Sequence, residues 1–323
     1  MHFHSLRRVA LVTCAFVVLA APSAAADPVT TQLRVEAGGH DIGPGWHYVH
    51  DSVSWETSQS EACGGSGALQ ALDRPTALGV LVQAAEFTRG LRPVQISDQF
   101  EFGPFVCGVG GRESSDSAFW LYKVDHVAPE VGGDQFAIER NGSEVLWYFV
   151  DSSDGVNTGN ELVLRPADRI IQVGTPTSVV VEEYDPSGAS DPAPGVSILG
   201  AGEALETGPS GAATLVFDEP GRPVIRGVRG SDIPTDALRL CVWEDARDEC
   251  GNFVTDWIVG TNGADVIRGG DGPERIIGRR GRDRINSRGD GESDNVRCGR
   301  GRDVVLADEL DRVARNCETV RRR

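Results

Sequence analysis

The sequence has 323 residues and a formal net charge of −17, with 48 acidic residues against 31 Lys and Arg. This excess of negative charge repels phosphate backbones and argues against nucleic acid as a partner. Glycine is abundant, at 40 residues, and long helical periodicity is scarce. Both features favour short strands and turns over long helices.

The first 26 residues have the pattern of a secretory signal peptide. Arg7 and Arg8 precede an apolar run over 9–21, and small residues follow at 23–26. The apolar run is shorter than the roughly 20 residues that a membrane-spanning helix needs, so no transmembrane segment is predicted. Lipoprotein-type cleavage at Cys14 is an alternative, disfavoured because the apolar run continues past it. We expect the protein to be secreted, with cell-surface association as a further option.

Removal of this segment leaves six cysteines, an even number that implies disulfides in an exported chain. None of them has the spacing of metal ligands. They occur two per region along the chain, which favours sequential pairing. The predicted disulfides are Cys63–Cys107, Cys241–Cys250 and Cys298–Cys317.

The stretch 27–155 is predicted to be a first domain with the order β, β, helix, β, β, β. Alternating residues near 33–36 and 46–49 flank a Gly-rich connection, as in a hairpin. A helix is predicted after Pro75, where Thr76 can cap and apolar residues recur at helical spacing. The remaining strands are predicted over 102–106, 119–124 and 144–150.

The stretch 156–258 is predicted to be a second domain. It follows a polar, Gly-rich linker and contains about six short strands separated by turns, with no helical pattern. This composition is typical of a β-sandwich.

The stretch 259–323 contains an internal repeat of nine residues. From Gly260 the pattern G-x-x-G-x-(D/E)-x-I-x occurs three times and then continues with an insertion. The two series of repeated side chains are acidic, at Asp265, Glu274, Asp283, Asp294, Asp303 and Asp311, and aliphatic, at Ile267, Ile276, Ile285, Val296, Val305 and Val313. Two repeats make one coil, so acidic residues 18 apart, such as Asp265 and Asp283, should stack.

This tract resembles the hemolysin-type nonapeptide repeats of secreted RTX proteins. The resemblance implies a parallel β-roll in which glycines turn the chain and carboxylates with backbone carbonyls bind calcium. The implied calcium ligands are Asp265, Glu274, Asp283, Asp294 and Asp303. The chain departs from the repeat at Pro273, Arg279 and Arg280. Arginines so close to the carboxylates leave open a roll held together by ion pairs without metal.

The first domain resembles the transcobalamin-like C-terminal domain family of bacterial secreted proteins. The resemblance rests on the segments 33–37, 119–124 and 142–149 and on the helix that follows Cys63. It implies a β-grasp-like fold, and vertebrate relatives cover one face of cobalamin with this domain. Two hypotheses remain for four aromatic side chains of this domain: they stack on a planar ligand, or they have a purely structural role. These residues are Trp120, Tyr122, Trp147 and Tyr148.

The second domain is similar to Ig-like and carboxypeptidase-regulatory-like modules, which usually act as spacers. The similarity lies in the segments 194–197 and 211–215. The expected fold class is therefore mainly β: a β-grasp-like α+β domain, an Ig-like sandwich and a parallel β-roll.

No catalytic motif stands out in the sequence. His47 and His50 are three apart, and on a strand such residues point to opposite faces. We therefore expect a monomeric, non-enzymatic, secreted protein with calcium as its cofactor. The alternatives are a small-molecule, corrinoid-like carrier with a metal-free repeat, and an adhesin or cell-wall-associated structural protein.

Overall fold

The computed structural model describes residues 28–322 except 39–40, 44, 62, 154–158, 203–204, 246–249, 251–252, 254–255, 271 and 289–291. The predicted signal peptide and Cys14 lie outside the described residues. Strands take up 46% of the chain and helix 5%, which confirms the mainly β class. None of the described helices is long and apolar enough to cross a membrane.

The first part of the chain forms a central sheet with a short helix on one face. Its elements are β1 (Val29–Glu36), β2 (His47–His50), β3 (Val53–Glu56), β4 (Leu69–Leu72), α1 (Ala77–Ala85), a 3-10 turn (Arg89–Leu91), β5 (Val94–Ser97), β6 (Phe105–Val109), β7 (Arg112–Glu113), β8 (Ala118–Val124) and β9 (Ser143–Asp151). The central sheet has the order β2-β1-β9-β8, in which β1 and β9 are parallel. Strands β3 and β4 form a separate hairpin, and β5, β6 and β7 form a three-stranded sheet.

Helix α1 begins where the sequence predicts it. Thr76 is the N-cap, and its hydroxyl accepts a hydrogen bond from the Gly79 N–H at 3.0 Å. Leu78 and Leu81 are fully buried against Leu33 and Trp147 of the central sheet. Burial of such apolar side chains is the main stabilising term for so short a helix.

The middle part of the chain consists of short strands around its own core. They are β10 (Glu161–Pro166), β11 (Ile170–Gln172), β12 (Thr177–Tyr184), β13 (Ser190–Pro192), β14 (Ser197–Leu199), β15 (Leu205–Glu206), β16 (Ala212–Leu215), β17 (Val224–Val228), β18 (Leu238–Arg239) and β19 (Cys241–Trp243). Strands β10, β12, β13 and β16 form one sheet, and β15-β14-β17-β18 form another. Both sheets contribute side chains to one buried core, for example Val181 and Ile225.

The last part of the chain is a roll of parallel strands. They are β20 (Asp256–Val259), β21 (Val266–Arg268), β22 (Glu274–Ile277), β23 (Arg280–Gly281), β24 (Arg284–Ser287), β25 (Asn295–Arg297), β26 (Arg300–Gly301), β27 (Val304–Ala307), β28 (Arg312–Val313) and β29 (Thr319–Arg322). Eight of these strands form two facing ladders, β20-β22-β25-β28 and β21-β24-β27-β29, and β23 pairs with β26 in a third. The repeated aliphatic side chains fill the space between the ladders, and Ile267, Ile276 and Ile285 are at most 1% exposed.

The roll and the first part of the chain share one sheet. Strand β20 pairs in parallel with β2, so that His47 lies beside Ile258 and Tyr48 beside Val259. The result is an eight-stranded sheet with the order β28-β25-β22-β20-β2-β1-β9-β8. The Arg279 guanidinium lies 3.4 Å from the centre of the Phe87 ring, just beyond α1, and adds a second contact.

Three disulfides join the cysteines in the predicted sequential order. The pairs are Cys63–Cys107, Cys241–Cys250 and Cys298–Cys317, with Cα atoms 5.5, 6.0 and 5.2 Å apart. Cys298 and Cys317 bracket the last coil of the roll. Disulfides of this kind are consistent with an extracellular protein.

Candidate metal site

Seven of the described acidic side chains lie at equivalent positions of the roll, either at the first residue of a strand or directly before it. Successive coils place these side chains above one another in two stacks. One stack contains Asp265, Asp283, Asp303 and Glu318, and the other contains Glu274, Asp294 and Asp311.

Each stack is held by hydrogen bonds between a carboxylate and the backbone of the coil before it. The Asp265 N–H donates to Asp283 Oδ1 at 3.0 Å, and the Asp283 N–H donates to Asp303 Oδ1 at 2.9 Å. In the second stack the Glu274 N–H donates to Asp294 Oδ1 at 2.8 Å. Asp265 and Asp283 are 18 residues apart and adjacent in the stack, as the repeat period predicts.

Two members of the stacks were not among the five predicted ligands. Asp311 accepts from the Asp294 N–H at 3.1 Å, and Glu318 accepts from the Asp303 N–H at 2.8 Å. Glu318 falls outside the sequence period because it follows Asp303 by only 15 residues. The signal that identifies it is the aliphatic Val320 two positions later, the same offset as in the other repeats.

The acidic side chains of the first stack are buried close together, which disfavours their negative charge. Asp265, Asp283 and Asp303 are at most 2% exposed. Burial raises the pKa of Asp283 to about 7 against the effect of the hydrogen bond from Asp265, and the negative charges of Asp265 and Asp303 add to the rise. Burial also raises the pKa of Asp265. The stack therefore favours a bound proton or a bound cation.

Arginine acts on the first stack only from a distance: the charge of Arg279 lowers the pKa of Asp265 against the larger effect of burial. Among the described residues, no ion pair involves Asp265, Asp283 or Asp303. The ion pairs that are found lie within or between the first and middle parts of the chain, or join the middle part to Asp256. The partners of these three aspartates are backbone N–H groups and, for Asp265, the Thr261 hydroxyl at 2.8 Å.

The donor set of the first stack fits a hard cation. Oδ2 of Asp283 and of Asp303 is buried and accepts no hydrogen bond. Gly278 has no side chain, so the position that a Cβ would occupy there is empty. This position lies 2.6 Å from Asp283 Oδ2 and 2.5 Å from the Cys298 carbonyl oxygen. Gly260 repeats this arrangement one coil earlier, 2.7 Å from Asp265 Oδ2 and from the Gly278 carbonyl oxygen. Carboxylate and carbonyl oxygens are the ligands that calcium takes in proteins.

The predicted ligands do not converge as a single cluster. Asp265, Asp283 and Asp303 belong to one stack, whereas Glu274 and Asp294 belong to the other. Across the described residues, the group of three acidic or His side chains whose ligand atoms all lie within 4.8 Å is found elsewhere. A cation in the roll would therefore depend on carbonyl oxygens as well as on carboxylates.

That group of three was missed by sequence reasoning. It consists of His126, Glu144 and Glu161, and His126 Nδ1 lies 3.1 Å from Glu161 Oε1. Arg34 and Lys123 each lie 3.4 Å from the Glu161 carboxylate. Because two cations already contact this carboxylate, the group is an ion network and a poor metal site. Glu161 follows His126 by 35 residues, so no local spacing signals the contact.

The four aromatic residues of the planar-ligand hypothesis lie on two faces of the central sheet. Trp120 and Trp147 are 3% and 4% exposed in the core beneath α1, and Tyr122 packs against the same core. Tyr148 packs on the opposite face with Ile233 of the middle part. The rings share no exposed surface, so their positions lend the hypothesis no support.

Comparison with known proteins adds no assignment. No protein-family model matches the sequence, and no curated protein matches it significantly.

Proposed function

We infer that this is a secreted, non-enzymatic protein whose roll binds calcium through the stacked carboxylates. Calcium would supply charge neutralisation and oxygen coordination, which order the roll. Asp265, Asp283 and Asp303 would hold the ion in the first stack, and Glu274 and Asp294 would do so in the second. Since the roll continues the eight-stranded sheet, ordering it also stabilises the end of that sheet.

The observation that carries this proposal is the pair of buried oxygens without hydrogen-bond partners, Asp283 Oδ2 and Asp303 Oδ2. An unpaired buried carboxylate oxygen is costly, and three buried carboxylates stacked together repel one another. A bound cation removes both costs at once. A carboxylate Oδ2 and a backbone carbonyl oxygen lie together beside Gly260 and again beside Gly278, which supports a repeated site.

The test is calcium titration of the full chain, followed by thermal unfolding. Binding to the folded roll alone, with a dissociation constant near 1 mM, adds about 1.4 kcal/mol at 10 mM calcium and raises the unfolding temperature by a few degrees. Magnesium should do less because it demands stricter octahedral geometry.

The decisive variant is Asp283→Asn combined with Asp303→Asn. Asparagine keeps the Oδ1 acceptor for the neighbouring coil but removes the charge, so the variant should fold and lose the calcium response. Asp116→Asn, at an exposed position in the first part of the chain, is the matched control. An unchanged unfolding temperature up to 10 mM calcium, or an equal rise in the double variant, would contradict the proposal.

A further inference from the structure

The motif Arg-Gly-Arg-Asp occurs twice in the roll, at 280–283 and at 300–303. The two copies lie in register on adjacent coils, because Arg280 pairs with Arg300 and Gly281 pairs with Gly301 in the parallel ladder β23–β26. Adjacent strands in such a ladder are about 4.8 Å apart. Equivalent residues of the two copies are therefore neighbours at one edge of the roll.

In each copy of the motif the negative charge is buried and the positive charges are exposed. The aspartates point inward and are at most 1% exposed, whereas all four arginines are exposed. The glycines permit the close stacking, since a Cβ on Gly301 would overlap the Gly281 carbonyl oxygen. The edge therefore carries two rows of guanidinium groups, one formed by Arg280 and Arg300 and the other by Arg282 and Arg302.

Burial of the carboxylates makes the whole surface of the roll basic. From residue 260 to the end, the sequence contains 12 acidic residues and 15 arginines. Among the described residues of this stretch, 11 arginines are exposed, against the two acidic residues Glu309 and Glu318. The preceding part, 27–259, has 36 acidic and 14 basic residues, a net charge of −22. The basic edge thus stands out on an acidic protein.

We propose that Arg280, Arg282, Arg300 and Arg302 form a docking surface for a linear anionic glycan. Guanidinium groups bind the carboxylate, sulfate or phosphate groups of such a polymer with paired hydrogen bonds. Because the arginines repeat from coil to coil, they can contact successive negative groups along a polymer whose charges also repeat. The proposal does not depend on calcium, because the arginines point away from the carboxylate stacks.

Other polyanions fit this surface less well. The segment 260–323 contains no Phe, Trp, Tyr or His. Proteins that bind single-stranded nucleic acid stack bases on aromatic side chains, and protein interfaces are commonly anchored by them. A glycan without bases needs neither.

The experiment measures binding of the full chain to dextran sulfate in the presence of EDTA, with uncharged dextran as the polymer control. The quadruple variant Arg280→Gln, Arg282→Gln, Arg300→Gln, Arg302→Gln should bind at least tenfold more weakly. The slope of log affinity against log salt concentration should be smaller in magnitude by about 3 for this variant, because each of the four lost contacts contributes roughly 0.7, as for single-stranded polyanions. The control removes four exposed arginines elsewhere, Arg74, Arg89, Arg140 and Arg222, and should bind like the parent chain.

A variant with only Arg300→Gln and Arg302→Gln should lose an intermediate amount, and unfolding temperatures establish that every variant is folded. The proposal is overturned by absence of binding to dextran sulfate, by equal loss in the two quadruple variants, or by binding of uncharged dextran. Tighter binding of single-stranded oligothymidylate than of dextran sulfate would also overturn it and would identify nucleic acid as the partner.

Discussion

The glycines at the arginine-bearing edge of the roll are required by the contact between coils. A Cβ on Gly281 would overlap the Gly263 carbonyl oxygen of the coil before it, and Gly281 has φ 130°, which side chains other than glycine rarely adopt. Gly263 occupies the same place in the first coil, where a Cβ would meet only Thr261 Oγ1 at 3.4 Å. The requirement for glycine thus begins at the second coil.

This difference yields a matched pair of substitutions. Gly281→Ala should lower the free energy of unfolding by about 2–5 kcal/mol, because it combines backbone strain with overlap against a rigid carbonyl. Gly263→Ala should change it by less than about 1 kcal/mol. Urea unfolding, with hydrogen exchange of the β24 amides as a local probe, measures both. Equal effects of the two substitutions would show that the coils do not pack as closely as described.

At this scale the sequence predicted which residues face inward but not what they contact. The period placed Asp265 and Ile267 correctly on different positions of a coil, because a nine-residue repeat is a local property. The hydrogen bond from the Asp265 N–H to Asp283 depends on how adjacent coils align, which the period alone does not fix. The exposure of Arg280 does not follow from the period for the same reason, so ion pairing of Arg279 and Arg280 with the carboxylates was an open alternative at the level of the sequence.

Among the secondary elements, the prediction succeeded where local chemistry decides the structure. The Thr76 cap and the hairpin of β1 and β2 are both found. The strand predicted over 102–106 begins only at Phe105, because Gly103 has φ 111° and Pro104 has no N–H to donate. The hairpin of β3 and β4 was missed, since both strands are only four residues long and β4, unlike β3, does not alternate between apolar and polar residues.

The Cys298–Cys317 disulfide closes the last element of the roll. It joins cysteines 19 residues apart and holds β29 beside β27 at the open end of the ladder. Replacement of both by alanine should lower the free energy of unfolding by about 3 kcal/mol, the loop-entropy value for a closed loop of this length. Hydrogen exchange should show the loss first at β29. Unchanged protection of the β29 amides would mean that pairing with β27 alone holds the terminal strand.

Over the whole molecule, the shared sheet could not be predicted. The pairing of β2 with β20 joins a strand of the first part of the chain to a strand that follows the middle part, and neither carries a local signal for the other. The contact between the first and middle parts was equally hidden. Strand β1 faces the middle part with Arg34 and Glu36, which are 2% and 0% exposed, although alternation alone marks such residues as solvent-facing.

The same contact predicts how stability depends on pH. Glu36 is fully buried, and its Oε1 is paired with Arg226 of the middle part. Burial, followed by the hydrogen bond and charge of Asp41, raises the pKa of Glu36 well above its usual range, against the opposing effects of Arg34 and Arg226. The folded protein therefore holds a proton that the unfolded chain releases. The stability that this proton contributes is fully present below the ordinary pKa of glutamate and is lost as pH rises through the raised value.

Glu36→Gln should remove this loss, because glutamine is neutral at every pH. Arg226 keeps a partner in the variant, since Asp41 Oδ1 lies 3.5 Å from its guanidinium. Between pH 5 and 9 the parent chain should lose at least about 1.4 kcal/mol more of its free energy of unfolding than the variant, the value of one pKa unit. Urea unfolding at several pH values measures the difference, with Glu56→Gln as the exposed control. Parallel pH profiles for the parent chain and Glu36→Gln would show that Glu36 is already ionised at pH 5 in the folded protein.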